Sequence, residues 1–187
     1  MSTQELILES AYRLFARHGF EKTSLSMIAK EVGISKPAVY YYFPSKEALF
    51  GALLEAVCSE IRFGKYFPLA SFTVDNYKEQ LTGCGLRMIG EQRSDPHYSL
   101  LMKEFMIQST RDESILSAMM AVIQAYVEGF HELLRHGADL GIVQGEDLRA
   151  KAEQLTMIVD GIDNYMGLGV AFDYERLWSY TVEQVLR

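Results

Sequence analysis

The chain has 187 residues, a net charge of −7, 49% apolar and 12% aromatic residues and only four prolines. That length can bury a core without metals or disulfides, the composition excludes a disordered chain, and no apolar run reaches the ~18 residues that a membrane span requires. The acidic balance argues against a nucleic-acid partner until the charges are located. Residues 1–50 hold six basic and five acidic residues, net +1, whereas residues 51–187 hold twelve and twenty, net −8. Only the first quarter is electrostatically able to approach phosphate. The first residues carry acids rather than a basic leader, so no secretory signal is expected and the protein is expected in the cytoplasm.

Helical periodicity is the only kind present, which predicts an all-α chain of about nine helices. Ser2 and Glu5 have capping-box spacing, Ile7, Ala11, Leu14 and Phe15 share one face, and Gly19 after His18 ends the first helix. A short second helix repeats Leu25, Ile28, Ala29 and Val32 and ends at Gly33. Ser35 caps a third, with Pro37 tolerated in its first turn, and Pro44 breaks it. Ser45 caps a fourth whose face reads Leu49, Leu53, Ala56 or Val57, and Ile61, long enough to connect two domains. A loop near residues 67–73 should follow, then helices over 75–92, 96–108, 113–135, 146–169 and 174–186. A Thr110/Glu113 capping box is expected to open the helix bearing Ile115, Met119, Val122, Ile123, Tyr126 and Phe130. Gly137, Gly141 and Gly145 read as the loop after it. The expected division is a domain of residues 1–46 and one of residues 47–187, with helix 47–64 connecting them.

Two short helices joined by Gly33-Ile34-Ser35 have the form of a helix-turn-helix: a small residue, Ala29, permits close crossing, glycine makes the turn, and Val39 anchors the second helix. Three consecutive tyrosines follow, Tyr40, Tyr41 and Tyr42. They fan about 100° apart around the helix axis, so they cannot all be buried. Beside the start of the next helix, with Lys46 in its first turn, their hydroxyls are placed to donate to phosphate oxygens. Phe43 is expected to pack inward.

The stretch 23–50, TSLSMIAKEVGISKPAVYYYFPSKEALF, resembles the N-terminal signature of the TetR/AcrR family, and Leu14-Phe15-Ala16-Arg17-His18-Gly19-Phe20 resembles the element before it. The resemblance implies a three-helix DNA-binding domain, a fourth, linking helix, and a mostly five-helix C-terminal domain that dimerises and often holds an inducer. By position it implies that Ser24 and Ser26 stand near a phosphate or a base and that Lys36, Pro37, Ala38 and Tyr40 face the groove, and Ser35, at the start of that helix, is a DNA-binding candidate with them. It places Tyr41 and Tyr42 near the DNA backbone and Lys46 on a phosphate. Many relatives carry His or Trp at Tyr41 or Tyr42, and Gly and Thr near Pro37 and Ala38, so base preferences do not carry over. The implied function is a transcriptional repressor, a homodimer on an inverted repeat in double-stranded DNA, released by a small apolar or amphipathic inducer. A DNA-binding structural or cell-division factor that answers to a protein partner is the other reading on this scaffold.

Methionine and aromatic side chains line adaptable apolar cavities. The candidate inducer walls are Met88, Met102, Phe105, Met106, Met119, Ile123, Tyr126 and Phe130, with His131 or Tyr165 as the polar contact. Surplus apolar stripes, Leu148, Ala152, Leu155, Val159 and Ile162, then Tyr174, Leu177, Trp178, Thr181 and Val185, are expected to pair with a second copy around Gly161. No cofactor, metal or enzymatic activity is expected. Glu128-x-x-His131 with Glu132 and His136 would need a facing copy that His18 and His97 cannot supply. Gly85 to Gly90 lacks the Lys-Ser/Thr of a phosphate loop, and no Ser or Cys nucleophile has an identifiable His partner. Cys58 and Cys84 read as small core residues rather than a redox pair.

Overall fold

The computed structural model describes residues 1–144 and 146–187. Among the described residues the secondary structure is helical, without strands: α1 (Thr3–Lys22), α2 (Leu25–Val32), α3 (Lys36–Tyr42), α4 (Lys46–Glu60), α5 (Phe63–Tyr66), α6 (Tyr77–Ser94), α7 (Tyr98–Ser109), α8 (Glu113–Asp139), α9 (Leu148–Gly167) and α10 (Tyr174–Leu186). The all-α fold is as expected. The helix that sequence missed is α5, a single turn too short to show a period, followed by a 3-10 turn at Leu69–Ser71. No helix among the described residues is long and apolar enough to cross a membrane.

The chain forms two compact units, Met1–Ser59 with Pro96–Met119, and Glu60–Asp95 with Met120–Arg187. In the first, α1 opens with both bonds of the capping box, Ser2 N–H to Glu5 at 2.7 Å and Glu5 N–H to Ser2 Oγ at 3.2 Å. Its helical course breaks at Gly19, whose φ of 75° suits a residue without Cβ. The fully buried residues of this unit come from five helices: Ile7, Ala11 and Phe15 of α1, Ile28 of α2, Val39 of α3, Leu49 and Phe50 of α4, and Leu101 and Phe105 of α7. Phe50 is the hub, with ring centroids 4.9 Å from Phe15, 4.9 Å from Phe20 and 4.8 Å from Phe105.

The second unit is centred on Trp178 of α10, which is fully buried and donates its indole N–H to the Thr82 carbonyl at 3.0 Å. Phe67, Leu81, Ile89, Phe130, Leu133, Leu134, Ala152, Leu155 and Val182 belong to that core as well. The buried Tyr77 hydroxyl donates to the Leu133 carbonyl at 2.6 Å. Burial without a compensating charge holds that phenol well above the ordinary tyrosine range.

Three expectations are corrected here. First, α8 runs on to Asp139, so Gly137 lies within a helix under Tyr77 and Val143 rather than in a loop. Gly141, at φ 73°, does turn the chain, and Gly145 lies outside the described residues. Second, Asp112 opens α8 in place of Thr110. Its Oδ1 accepts from the Ser114 N–H at 2.9 Å and the Ile115 N–H at 3.4 Å, while the Thr110 hydroxyl donates back to Ile107 at 2.7 Å. Third, the stripes of α9 and α10 assigned to a second copy belong to the chain's own core. Ala152, Leu155, Ile162, Tyr174, Trp178, Thr181 and Val185 are all buried, and Leu148 and Val159 pack against the same cluster. Periodicity reveals an apolar face but not whose surface covers it. The large apolar residues that remain outward on these helices, or just past the end of α9, include Met157, Tyr165, Leu168, Leu177 and Tyr180.

Candidate nucleic-acid interface

Three serines set the starts of three helices. Ser24 Oγ accepts from the Met27 N–H at 3.3 Å, Ser35 Oγ from the Ala38 N–H at 3.3 Å, and Ser45 Oγ from the Ala48 N–H at 3.0 Å. Each bond satisfies a backbone donor that the first turn leaves open, which is why these chain positions become helix ends. The segment before α2 is tied by the buried Thr23, whose hydroxyl reaches the carbonyls of Gly19 at 2.8 Å and Leu14 at 3.2 Å. Between α2 and α3 the turn falls on Gly33, left-handed at φ 78° and ψ 28°, and the Ile34 N–H closes on the Ala29 carbonyl at 3.0 Å.

With α3 so fixed, its two sides differ. Val39 and Phe43 enter the core, and the three tyrosines point outward: Tyr40, Tyr41 and Tyr42 are 46%, 85% and 37% exposed. Tyr41 and Tyr42 meet edge to face at 5.2 Å, and the Lys36 ammonium lies 5.7 Å from the Tyr40 ring centre. Ser24, Ser26, Ser35, Lys36 and Pro37 are exposed, Ala38 half-buried. Five of the ten sequence candidates, Ser24, Ser26, Lys36, Tyr40 and Lys46, gather around one open concavity of about 420 Å³. Ser35, Pro37, Ala38, Tyr41 and Tyr42 do not line it.

Charge in this unit is selective. Arg13 is held by Glu9 at 2.6 Å and Glu31 at 3.0 Å, and these bonds, Glu31 first, raise its already high pKa. Arg111 stands 3.6 Å from Glu21. Among the described residues no ion pair engages Lys36 or Lys46. Lys46 is half-buried rather than free: its ammonium donates to the Phe20 carbonyl at 2.8 Å and sits 4.2 Å from the centre of the Phe20 ring. Both partners are neutral, so the positive charge is retained. Phe20 was not among the sequence candidates, because no local pattern joins it to a lysine 26 positions later. Beside Lys46, its own backbone N–H and Ser45 hold the Glu47 carboxyl below its ordinary range.

The candidate inducer walls divide between the two units. Met88, Tyr126 and Phe130 belong to the core of the second unit, but Met102, Phe105 and Met119 belong to that of the first. Met106, Ile123 and Tyr165 are exposed and His131 is half-buried. The reason is that α7, expected in the C-terminal domain, packs against α1 instead.

Residues 7–53 match the bacterial regulatory proteins of the tetR family. YuxN of Bacillus subtilis (strain 168), an uncharacterized HTH-type transcriptional regulator, is 55% identical over 51 residues, 27% of this chain and only 18% of YuxN. SmeT of Stenotrophomonas maltophilia, in its complex with triclosan, shares the fold with a TM-score of 0.80 at 23% identity, over 100% of this chain and 90% of SmeT. YfiR of B. subtilis, another uncharacterized HTH-type transcriptional regulator, is 30% identical over 145 residues, 75% of this chain and 68% of YfiR. With identity at that level extending well beyond the helix-turn-helix, the chain belongs to the tetR family of bacterial regulatory proteins.

Proposed function

We propose that the protein is a homodimeric repressor that binds an inverted repeat in double-stranded DNA through residues 1–46. It leaves that site when a small apolar or amphipathic molecule binds within residues 47–187. The observation that carries the first half is the outward face of α3: exposed Lys36, Tyr40, Tyr41 and Tyr42 over a buried Val39, with Lys46 held by a carbonyl and a ring rather than by an ion pair. In this reading Lys36, Pro37, Ala38 and Tyr40 meet base edges, and Ser24, Ser26, Tyr41, Tyr42 and Lys46 meet sugar and phosphate, with Ser35 holding the start of α3.

The second copy would dock on the outward side of α9 and α10. Met157, Gly161, Tyr165 and Leu168 recur at helical spacing along α9 and its end, Leu177 and Tyr180 are exposed on α10, and nothing lies within 4 Å of where a Cβ on Gly161 would be. Ligand control is supported by the likeness to SmeT, a repressor solved with triclosan bound. Met88, Tyr126, Phe130 and His131 are the candidates in the second unit that would meet such a molecule. The reading as a cell-division factor is not favoured, because the resemblance to regulators reaches past the DNA-binding helices into the second unit.

Selection of bound fragments from genomic DNA tests the proposal. The expected result is an inverted repeat whose half-sites lie one helical turn apart, roughly 34–36 Å, or a multiple of it. Binding that shows no repeat, or a monomeric mass at micromolar concentration in light scattering, would overturn it.

A further inference from the structure

Phe20, which accepts the Lys46 ammonium on its carbonyl and ring, is itself held from the other side. Its backbone N–H donates to Glu104 Oε1 of α7 at 2.9 Å, a contact out of full reach of solvent. The same oxygen accepts from the Gln108 side chain at 3.0 Å, one turn further along α7, and Gln108 is buried. The approach is open because residue 19 is glycine: a Cβ there would stand 3.2 Å from Glu104 Oε2. Phe20 also stacks on Phe15 at 5.9 Å and meets Phe50 at 4.9 Å. Thus Phe20 is fixed at its N–H by Glu104 and at its ring by the core, and in turn fixes Lys46 at its carbonyl and ring.

A free lysine loses much side-chain freedom when it settles on a phosphate. One held beforehand has already lost it, and affinity gains accordingly. The holder must be uncharged, or it would cancel the interaction it prepares. Phe20 supplies a carbonyl and a π face, while the carboxylate that steadies it touches Phe20 rather than the lysine.

Resting on the DNA-binding reading above, the geometry points to Glu104 as a positioning residue for DNA: through Phe20 it preorganises the Lys46 ammonium for a phosphate oxygen. This assigns Glu104 an effect opposite in sign to simple electrostatics. Removing a carboxylate from a protein that binds a polyanion should tighten binding; removing this one weakens it.

The test measures binding of the full chain to a mixed-sequence 30-base-pair duplex across a salt series. Glu104→Ala is expected to weaken binding by about three- to tenfold. Glu104→Gln keeps an oxygen for the Phe20 N–H and is expected to stay within about twofold of the parent. Glu104→Asp keeps the charge but loses the reach, so it should weaken binding like Ala; it serves if Glu104→Ala does not fold. Lys46→Ala should lower the slope of log affinity against log salt by about 0.9, and in that background Glu104→Ala should have no further effect. Effects of Glu104→Ala and Lys46→Ala that simply multiply, or tighter binding by both Glu104→Ala and Glu104→Gln, overturn the inference while leaving DNA binding intact. A parent chain that shows no salt-dependent binding to the duplex overturns the DNA-binding reading and this inference with it.

Discussion

In the first unit the starts of α2, α3 and α4 are fixed by residues three positions on in the chain, although its core, like that of the second unit, is closed by rings that meet across long separations. Ser24, Ser35 and Ser45 each bond the backbone three residues on, and Gly19 and Gly33 turn the chain where they stand. By contrast, Trp178 bonds Thr82, Tyr77 bonds Leu133, and Phe63 and Phe67 meet Phe130 at 4.9 Å each. The difference is one of tolerance. A local bond holds its own helix end and little else, so its loss is contained; an interlocked core transmits any change of volume to all its neighbours.

The largest expected effect follows from the interlocked core. Trp178→Ala removes a fully buried ring together with its bond to Thr82, and should lower unfolding free energy by about 3–5 kcal/mol in urea denaturation. Next comes Gly85→Ala. A Cβ on Gly85 would fall 2.1 Å from Trp178 Cε2, inside any permissible contact. Ala is the better helix former by about 1 kcal/mol. Overpacking should nonetheless win, leaving a net loss of about 1–3 kcal/mol. A stabilised Gly85→Ala variant would show that the second core is looser than its geometry requires. For the first unit, Ser35→Ala removes one cap from α3 and should cost about 1 kcal/mol of stability, a small downward shift of melting. A loss as large as that of Trp178→Ala would erase the contrast between the units.

The same contrast decided what could be read from sequence. The helix-turn-helix was legible because Ser24, Gly33, Ser35 and Pro44 punctuate it within a few residues, and because three adjacent tyrosines cannot share one buried face. The anchor of Lys46 was not, since Phe20 lies 26 positions away and Glu104 lies 84 positions beyond Phe20. Met102 and Phe105 have the composition of a cavity wall, yet they fill the core of the first unit, where Phe105 packs on Phe50. The buried stripes of α9 and α10 were visible as periodicity, but the partner surface that buries them comes from other helices, which no single period reports.

The smallest effect concerns two exposed carboxylates. Glu47 is held below its ordinary range by its own backbone N–H and then by Ser45, both local; Glu175 is held low chiefly by Arg93, which reaches it at 2.6 Å across 82 positions. Since both folded pKa values are depressed, each contributes stability that is present above the unfolded pKa, about 4.3, and is lost as pH falls through the folded value. For groups this exposed the contribution is small and screened. Their response to salt should differ. An ion pair on the surface weakens as the Debye length shrinks from about 10 Å at 0.1 M to about 3 Å at 1 M, whereas a short bond to the backbone depends on geometry. Carboxyl-carbon titrations by NMR at the two salt concentrations should therefore show Glu175 moving back toward the ordinary glutamate value while Glu47 stays depressed. Equal movement of both would mean that the lowering at Glu47 comes from long-range charge, with Lys46 as the nearest source, and that the first unit is less locally held than its caps imply.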